Sequence, residues 1–200
     1  QNFTTATNTF NTALGYYAGQ SVTTGTLNTF IGGLAGDATT TASNNVAVGY
    51  LALSDNSTGA TNTAVGTSAL ENNTTASNNT AVGYHALYAN TTATANVAVG
   101  WQAGDALTTG GSNVAIGYNS LSTEDEHGGN VAVGTNSLAA QDAGATGYNT
   151  AVGHNTGLVI TTGTQNTLIG GLAGDALTTA GSNVAVGYLA LSDNSTGANN

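Results

Sequence analysis

The residues best suited to chemistry in this chain form one acidic group at Glu124, Asp125, Glu126 and His127, with Asp142 further on. Asp142 follows Asp125 at the spacing with which the whole sequence repeats. If successive repeats stack at the strand spacing, these two carboxylates lie within about 5 Å of each other. Hard cations such as Ca²⁺ prefer several oxygen ligands gathered in this way. Two interpretations follow: a solvated acidic loop without a ligand, or a calcium-type site formed by Glu124, Asp125, Glu126 and Asp142.

Apart from this group, the composition offers little for catalysis. The chain contains no Lys, Arg or Cys, which removes the amine and thiol nucleophiles and the cationic anion clamps. The three histidines, His85, His127 and His154, have no Ser or carboxylate partner at a recognised spacing. The sequence therefore predicts a protein that is not an enzyme and needs no cofactor beyond the Ca²⁺ considered above.

The net charge limits the classes of partner that the chain is expected to bind. The formal net charge is −10, although charged residues make up only 5% of the chain. Nucleic-acid binding requires cations that neutralise phosphates, and anionic lipid surfaces attract basic segments, so neither partner is expected. No apolar run is long enough for a membrane span, and the sequence predicts no membrane insertion within these residues. A chain rich in Thr and Asn and without the Lys and Arg at which trypsin cuts favours an extracellular or cell-surface location.

A pentad, Asn-x-Ala-Val-Gly with close variants, organises the rest of the sequence. It recurs with a 17-residue period, interrupted by one longer step of 19 between Asn130 and Asn149. The repeat asparagines are Asn11, Asn28, Asn45, Asn62, Asn79, Asn96, Asn113, Asn130, Asn149, Asn166 and Asn183. The repeat glycines are Gly15, Gly32, Gly49, Gly66, Gly83, Gly100, Gly117, Gly134, Gly153, Gly170 and Gly187. A fixed period of this length is the signature of a solenoid.

The pattern within each repeat predicts β structure. The residue before the repeat glycine is always a branched aliphatic, and Thr or Val stands two places earlier. Alternating β-branched residues predict a short strand with these residues buried. A second short strand is expected after the glycine, as at Tyr50–Leu53, with a polar turn closing the unit. The prediction is an all-β, parallel β-solenoid of 17-residue turns with two strands each, forming one continuous domain of about eleven turns over residues 1–200.

The repeat asparagine and glycine have structural interpretations. A column of identical amides can hydrogen-bond from turn to turn, or each Asn can supply a left-handed turn residue, and the sequence leaves both open. The glycine is expected to have positive φ or to lie close to a neighbouring chain. Aromatic residues after alternate glycines, such as Tyr50 and Tyr84, are expected to lie over small neighbours. Phe30 replaces the usual Ala where Gly33 follows, which suggests that these two positions share space.

The repeats also form a longer unit. Residues 23–62 return at 161–200, one super-repeat of eight turns later, with few changes. Neither end shows the atypical capping turn expected of a complete solenoid. We therefore expect the sequence to be a window on a longer chain.

Pentads such as Asn113–Gly117 and Asn45–Gly49, in tandem, resemble the head repeats of trimeric autotransporter adhesins, the YadA-like β-roll. Similar repeats occur in tail-fibre-like proteins of phages and large viruses and in surface proteins of marine bacteria. The resemblance covers the whole sequence. It implies a left-handed roll, three chains side by side and a role in attachment.

The sequence thus favours an extracellular structural fibre or adhesin shaft. Such a thin roll buries little apolar surface per turn, so we expect self-association as a homotrimer or filament, through a second strand face where Ala47, Ala64 and Ala81 allow close approach. Its other partner is a host or surface receptor of unidentified chemistry. Two alternatives remain: the shaft of a viral tail fibre, and an ice- or crystal-binding solenoid that uses stacked threonines, namely Thr24, Thr41, Thr58, Thr75 and Thr92.

Overall fold

The structure is a computed structural model that describes residues 9–124 and 126–200. Within these residues, eleven strands of three residues form one sheet in sequence order, and every neighbouring pair is parallel. The strands are β1 Thr12–Leu14, β2 Thr29–Ile31, β3 Val46–Val48, β4 Thr63–Val65, β5 Thr80–Val82, β6 Val97–Val99, β7 Val114–Ile116, β8 Val131–Val133, β9 Thr150–Val152, β10 Thr167–Ile169 and β11 Val184–Val186. The predicted parallel β-solenoid is confirmed. No helix in the described part of the chain is long and apolar enough to cross a membrane.

The strand register stacks identical repeat positions. Val48 pairs with Val65, and Val65 pairs with Val82, so the predicted aliphatic column is continuous. Across the one longer step of the sequence, Val131 pairs with Thr150 and the register is kept. The two extra residues are therefore accommodated in the loop between β8 and β9, and the sheet continues undisturbed.

The side of the strand that faces inward is opposite to the prediction. Ala47, Ala64 and Ala81 are fully buried inside the roll, whereas the β-branched residues on either side of them face outward. Ile169, for example, keeps 41% of its surface exposed. The physical reason is space: in most turns the interior beside this position is already filled, so only the alanine methyl fits there and the branched side chains lie on the outer surface. The larger Phe30 and Leu168 are buried at the same position where nearby glycines leave room. The predictions that the branched residues are buried and that the alanines line an outer face are wrong.

The predicted second strand is also wrong, because the segment after each repeat glycine is a turn. Leu51 and Leu53 have φ of 57° and 56°, in the left-handed region, so the chain there is not extended. The N–H of Leu51 donates to Gly33 O in the preceding turn, and that of Leu53 donates to Ala69 O in the following turn. Left-handed residues other than glycine each cost about 1 kcal/mol. The hydrogen bonds to both neighbouring turns hold this segment in place despite that cost.

The interior is filled in two alternative ways. In one type of turn, a Leu four places after the repeat glycine is followed three places later by an amide or carboxyl residue, as in Leu87 and Asn90. In the other type, a Gly takes the place of the Leu and an aliphatic residue usually takes the place of the amide, as in Gly104 and Leu107. A Cβ on Gly104 would lie 2.9 Å from Leu107 Cδ1, so the two side chains compete for the same space.

Phe30 shows the same exchange of space with partners that the sequence did not indicate. A Cβ on Gly36 would lie 2.5 Å from Phe30 Cε1, and one on Gly19 would lie 2.7 Å from Phe30 Cδ2. Gly33 faces Tyr50 instead, whose Cδ2 would be 3.4 Å from its Cβ. The prediction that Phe30 and Gly33 share space is therefore wrong. The related prediction that Tyr50 lies over a small residue is confirmed.

We predict that the two interior arrangements can be exchanged within one turn. Leu87→Gly alone leaves a cavity and should destabilise the fold by about 3–5 kcal/mol. Asn90→Leu alone overpacks the interior and should cost about 1–3 kcal/mol. The double variant reproduces the arrangement of the next turn and should recover at least about 2 kcal/mol of the summed loss. Urea unfolding of the four proteins measures this coupling, and additive losses would contradict the shared space.

Candidate functional site

The repeat asparagines form a buried column of hydrogen bonds. The N–H of Asn45 donates to Asn28 Oδ1 at 2.9 Å, and Asn45 Nδ2 donates to Gly59 O at 2.9 Å. Asn45 Oδ1 in turn accepts from the N–H of Asn62 at 2.9 Å. Each repeat asparagine thus connects three turns through its backbone N–H and its side-chain amide. The left-handed residue is the one before it, such as Asn44 with φ of 62°.

The repeat glycines form a second column beside the sheet. Gly83 has φ of 137°, and a Cβ there would lie 2.3 Å from Gly100 O in the next turn. The same close contact with the following turn recurs along the column from Gly15 to Gly170. A side chain would therefore separate two turns that are hydrogen-bonded to each other. Both columns are structural, since their groups are used within the roll.

We predict that Gly83→Ala lowers the free energy of unfolding by about 3 kcal/mol or more, because it combines backbone strain with a steric clash. Gly171→Ala is the matched control, since its Cβ would meet Tyr188 Cδ2 at 3.6 Å and its φ is not positive. Thermal melting followed by circular dichroism compares the two. Equal stability of the two variants would refute the role assigned to the glycine column.

Glu124, one of the predicted metal ligands, lies inside the roll. It is fully buried and occupies the interior position that Asn56, Asn73 and Asn90 hold in other turns. Its Oε1 accepts from the N–H of His127 at 3.1 Å and lies 3.5 Å from His127 Nδ1. Its Oε2 has no hydrogen bond of good geometry, although the N–H of Ala143 is near enough to favour the charged form. Burial raises the pKa of Glu124, and the N–H of His127 opposes that shift. A carboxyl group therefore occupies the position that holds an amide in the other turns with an interior Leu.

The neighbouring loop is the irregular part of the roll. The position of His127 is Gly or Ala in nearly all other turns, and the two extra residues follow in the next turn. Asn113 Nδ2 donates to the carbonyl oxygen of His127, but Asn130 Nδ2, in the turn that carries the insertion, has no partner. Beside the loop lies a groove of about 450 Å³ lined by His127, Tyr148 and their neighbours.

The other predicted metal ligands are divided between places. Glu126 and Asp142 are exposed on the surface, whereas Glu124 is internal. Asp125 lies outside the described residues. Among the residues that the structure describes, no three His, Cys, Asp or Glu side chains are grouped closely enough to hold a metal ion. The calcium-type site stays a prediction, and it depends on Asp125.

We predict that Glu124→Gln stabilises the protein at neutral and alkaline pH. Because folding raises the pKa of Glu124, its contribution to stability is full below the unfolded pKa and is lost as pH rises through the folded pKa. The amide removes the buried charge, and we expect a gain of about 1–3 kcal/mol at pH 8 that fades towards pH 4. Glu126→Gln, on the surface, should change little. Melting temperatures across this pH range test the prediction, and a pH-independent effect would contradict it.

The two faces of each turn differ in charge. The outward side chains of the strands are only Thr, Val, Ile and Leu, and we call this surface the sheet face. Every described acidic side chain lies five to nine residues after a repeat glycine, in the stretch of the turn farthest from the strand along the chain. Burial raises the pKa of Asp37, and the nearby carboxylate of Asp55 in the next turn raises it further. We call the acidic residues of this stretch, apart from the internal Glu124, the acidic edge, and it is separated along each turn from the sheet face.

Two columns of hydroxyl residues run along the polar turn that closes each repeat, which we call the rim, and they have different roles. Thr24, Thr41, Thr58, Thr75 and Thr92 are all exposed and recur once per turn. The residues just before them form the second column, in which the hydroxyls of Thr23, Thr40 and Thr74 donate to a carbonyl of the next turn at 3.1 Å. The exposed column is thus supported by a fixed one beside it.

Comparison with protein-family models, with curated proteins and with solved structures gives no match.

Proposed function

We propose that the protein is a structural rod in an extracellular fibre or adhesin, and that its copies associate through the sheet face. The observation that carries the proposal is the charge-free surface of exposed and partly exposed branched side chains along all eleven strands. At the strand spacing this face is about 50 Å long and roughly 10 Å wide. The outward residues of this face are Val, Ile and Leu with Thr at one position of six strands, and a largely apolar surface of this size is typical of an interaction site.

Charge supports the same arrangement. The chain has no cation, so a partner copy cannot neutralise the acidic edge, and contacts between acidic edges would be repulsive. The sheet face is free of that repulsion. Association through it also buries branched side chains that a single roll leaves exposed, which adds to the stability of a thin fold.

Three chains around a common axis, wound left-handed, is the arrangement implied by the resemblance to trimeric autotransporter heads. The repetitive outer edge would then present many identical weak contacts to a receptor, and multivalent contact strengthens attachment. The same arrangement suits a viral tail-fibre shaft, in which case the rod belongs to a virion surface.

The test is a pair of charge substitutions at exposed positions. Val99→Glu places a carboxylate on the sheet face, and we expect it to dissociate the assembly to monomers, because the buried charge would lack a partner. Thr92→Glu, on the rim, should leave the assembly intact. Light scattering after size-exclusion chromatography gives the mass, and circular dichroism checks folding. A wild-type monomer, or assembly that survives Val99→Glu, would refute the proposal.

Ice or crystal binding is a second candidate, favoured by the exposed threonine column of the rim. Regular hydroxyls and methyl groups about 4.8 Å apart would offer a repeating surface to a crystal lattice. Thermal hysteresis that Thr58→Glu abolishes, with assembly unchanged, would support this candidate. A solution without hysteresis at millimolar protein would remove it.

A further inference from the structure

The groove beside the irregular loop, which we call the loop groove, has a floor of glycine. Gly111 and Gly128 line it, and Gly147 continues the row in a third consecutive turn. At this position, two places before the repeat asparagine, most other turns have a hydroxyl residue such as Ser43 or Ser77. The missing side chains leave a groove of about 450 Å³, a volume that is typical of small ligand sites.

The ring of Tyr148 lines the loop groove and keeps 62% of its surface exposed. Gly129 lies beside it, since a Cβ there would be 3.1 Å from Tyr148 Cδ1. Within the described part of the chain, no other aromatic ring stacks on Tyr148. Its φ of 50° is left-handed, and Ser112 and Ser182 hold the same repeat position in other turns. Neither packing nor backbone preference therefore accounts for a tyrosine at this place.

The loop groove is acidic. Glu126 lines it and is exposed, and the chain has no Lys or Arg that could neutralise its carboxylate. His127 also lines the groove, but its Nδ1 lies 3.5 Å from Oε1 of the buried Glu124. Asp142 lies near enough to act electrostatically on Glu124, which adds a further negative charge to this region. A cation from outside the chain would therefore be attracted to the groove.

An accessible ring, a carboxylate and a floor without side chains suit a planar cation. A guanidinium group can stack on a tyrosine ring and also donate two hydrogen bonds to a carboxylate. An ammonium group is a compact point charge that lacks the flat, forked shape, so it fits this combination less well. The net charge of −10 would repel an anionic ligand and gives a neutral one no electrostatic advantage.

We propose that the loop groove binds an arginine side chain of a partner protein. The guanidinium stacks on Tyr148 and bonds to Glu126, and the methylene stem lies along the row of glycines. The negative charge of the rod attracts a basic segment of the partner before contact. This inference rests on the attachment function proposed above, for which it names the class of receptor: a protein that exposes arginine.

The probe is a short peptide of Gly and Ser with one central arginine and both ends blocked. Saturation-transfer NMR with the full chain, in its assembled form, measures the affinity and shows which peptide protons contact the protein. We expect the strongest transfer to the arginine side chain. The same peptide with citrulline, which keeps the shape but has no charge, should bind about tenfold more weakly, and the lysine peptide should also bind more weakly.

Glu126→Gln and Tyr148→Ser should each weaken binding of the arginine peptide about tenfold. Serine is the residue that other turns have at the position of Tyr148, so the roll should stay folded, and circular dichroism checks this. Glu71→Gln and Tyr50→Thr are the matched controls. They remove a carboxylate of the acidic edge and an exposed tyrosine of another turn, and both should bind like the wild type.

Four results would overturn the inference: equal binding of the arginine peptide and either substitute, no effect of Tyr148→Ser, an equal loss in Glu71→Gln and Glu126→Gln, or loss of assembly in Tyr148→Ser. The third would make the attraction a property of the net charge, and the fourth would make the groove a contact between copies. Light scattering of the same samples separates this inference from the proposed function. Intact assembly without peptide binding refutes the arginine site alone, and peptide binding by a monomeric wild-type protein refutes the assembly proposal alone.

Discussion

The structure depends on how closely one turn lies on the next. At the repeat glycine the backbone of the following turn leaves no room for a Cβ. A Cβ added to Gly83, for example, would lie 2.3 Å from Gly100 O. That contact fixes the stacking, and the stacking places each buried amide within reach of the next repeat asparagine. The sheet, the left-handed residues and the interior then follow from a single repeating constraint. A change at one repeat position is therefore felt by both neighbouring turns.

The sequence was sufficient to predict the architecture, because a 17-residue period with one aliphatic column admits few folds. It did not reveal which face of the strand is internal, since alternation identifies two faces without saying how much room the interior leaves. Ala47 proved to be internal and Val48 external for that reason. The segment after the glycine was not recognised as a turn, because Leu51 and Leu53 are ordinary residues whose left-handed φ is imposed by the stack.

The irregular loop illustrates a similar limit for the candidate site. An acidic cluster in the sequence suggested surface ligands, yet Glu124 is buried in the interior, at a position where other turns have Asn. The signal that could have revealed this was its place in the repeat, three residues after Leu121, which matches Asn56 after Leu53 and Asn90 after Leu87. The repeat position of Glu124 indicates its place in the interior, whereas its charge does not.

The central claim is that the uncharged sheet face joins copies of the rod while the acidic edge remains in solvent. An electron cryomicroscopy map of the assembled particle tests this most directly. We predict copies in contact through the column that contains Val48, Val65 and Val82, with the acidic edge, which bears Asp55 and Glu71, on the outside. Particles of a single roll with that column in solvent, or copies joined through the acidic edge, would contradict it.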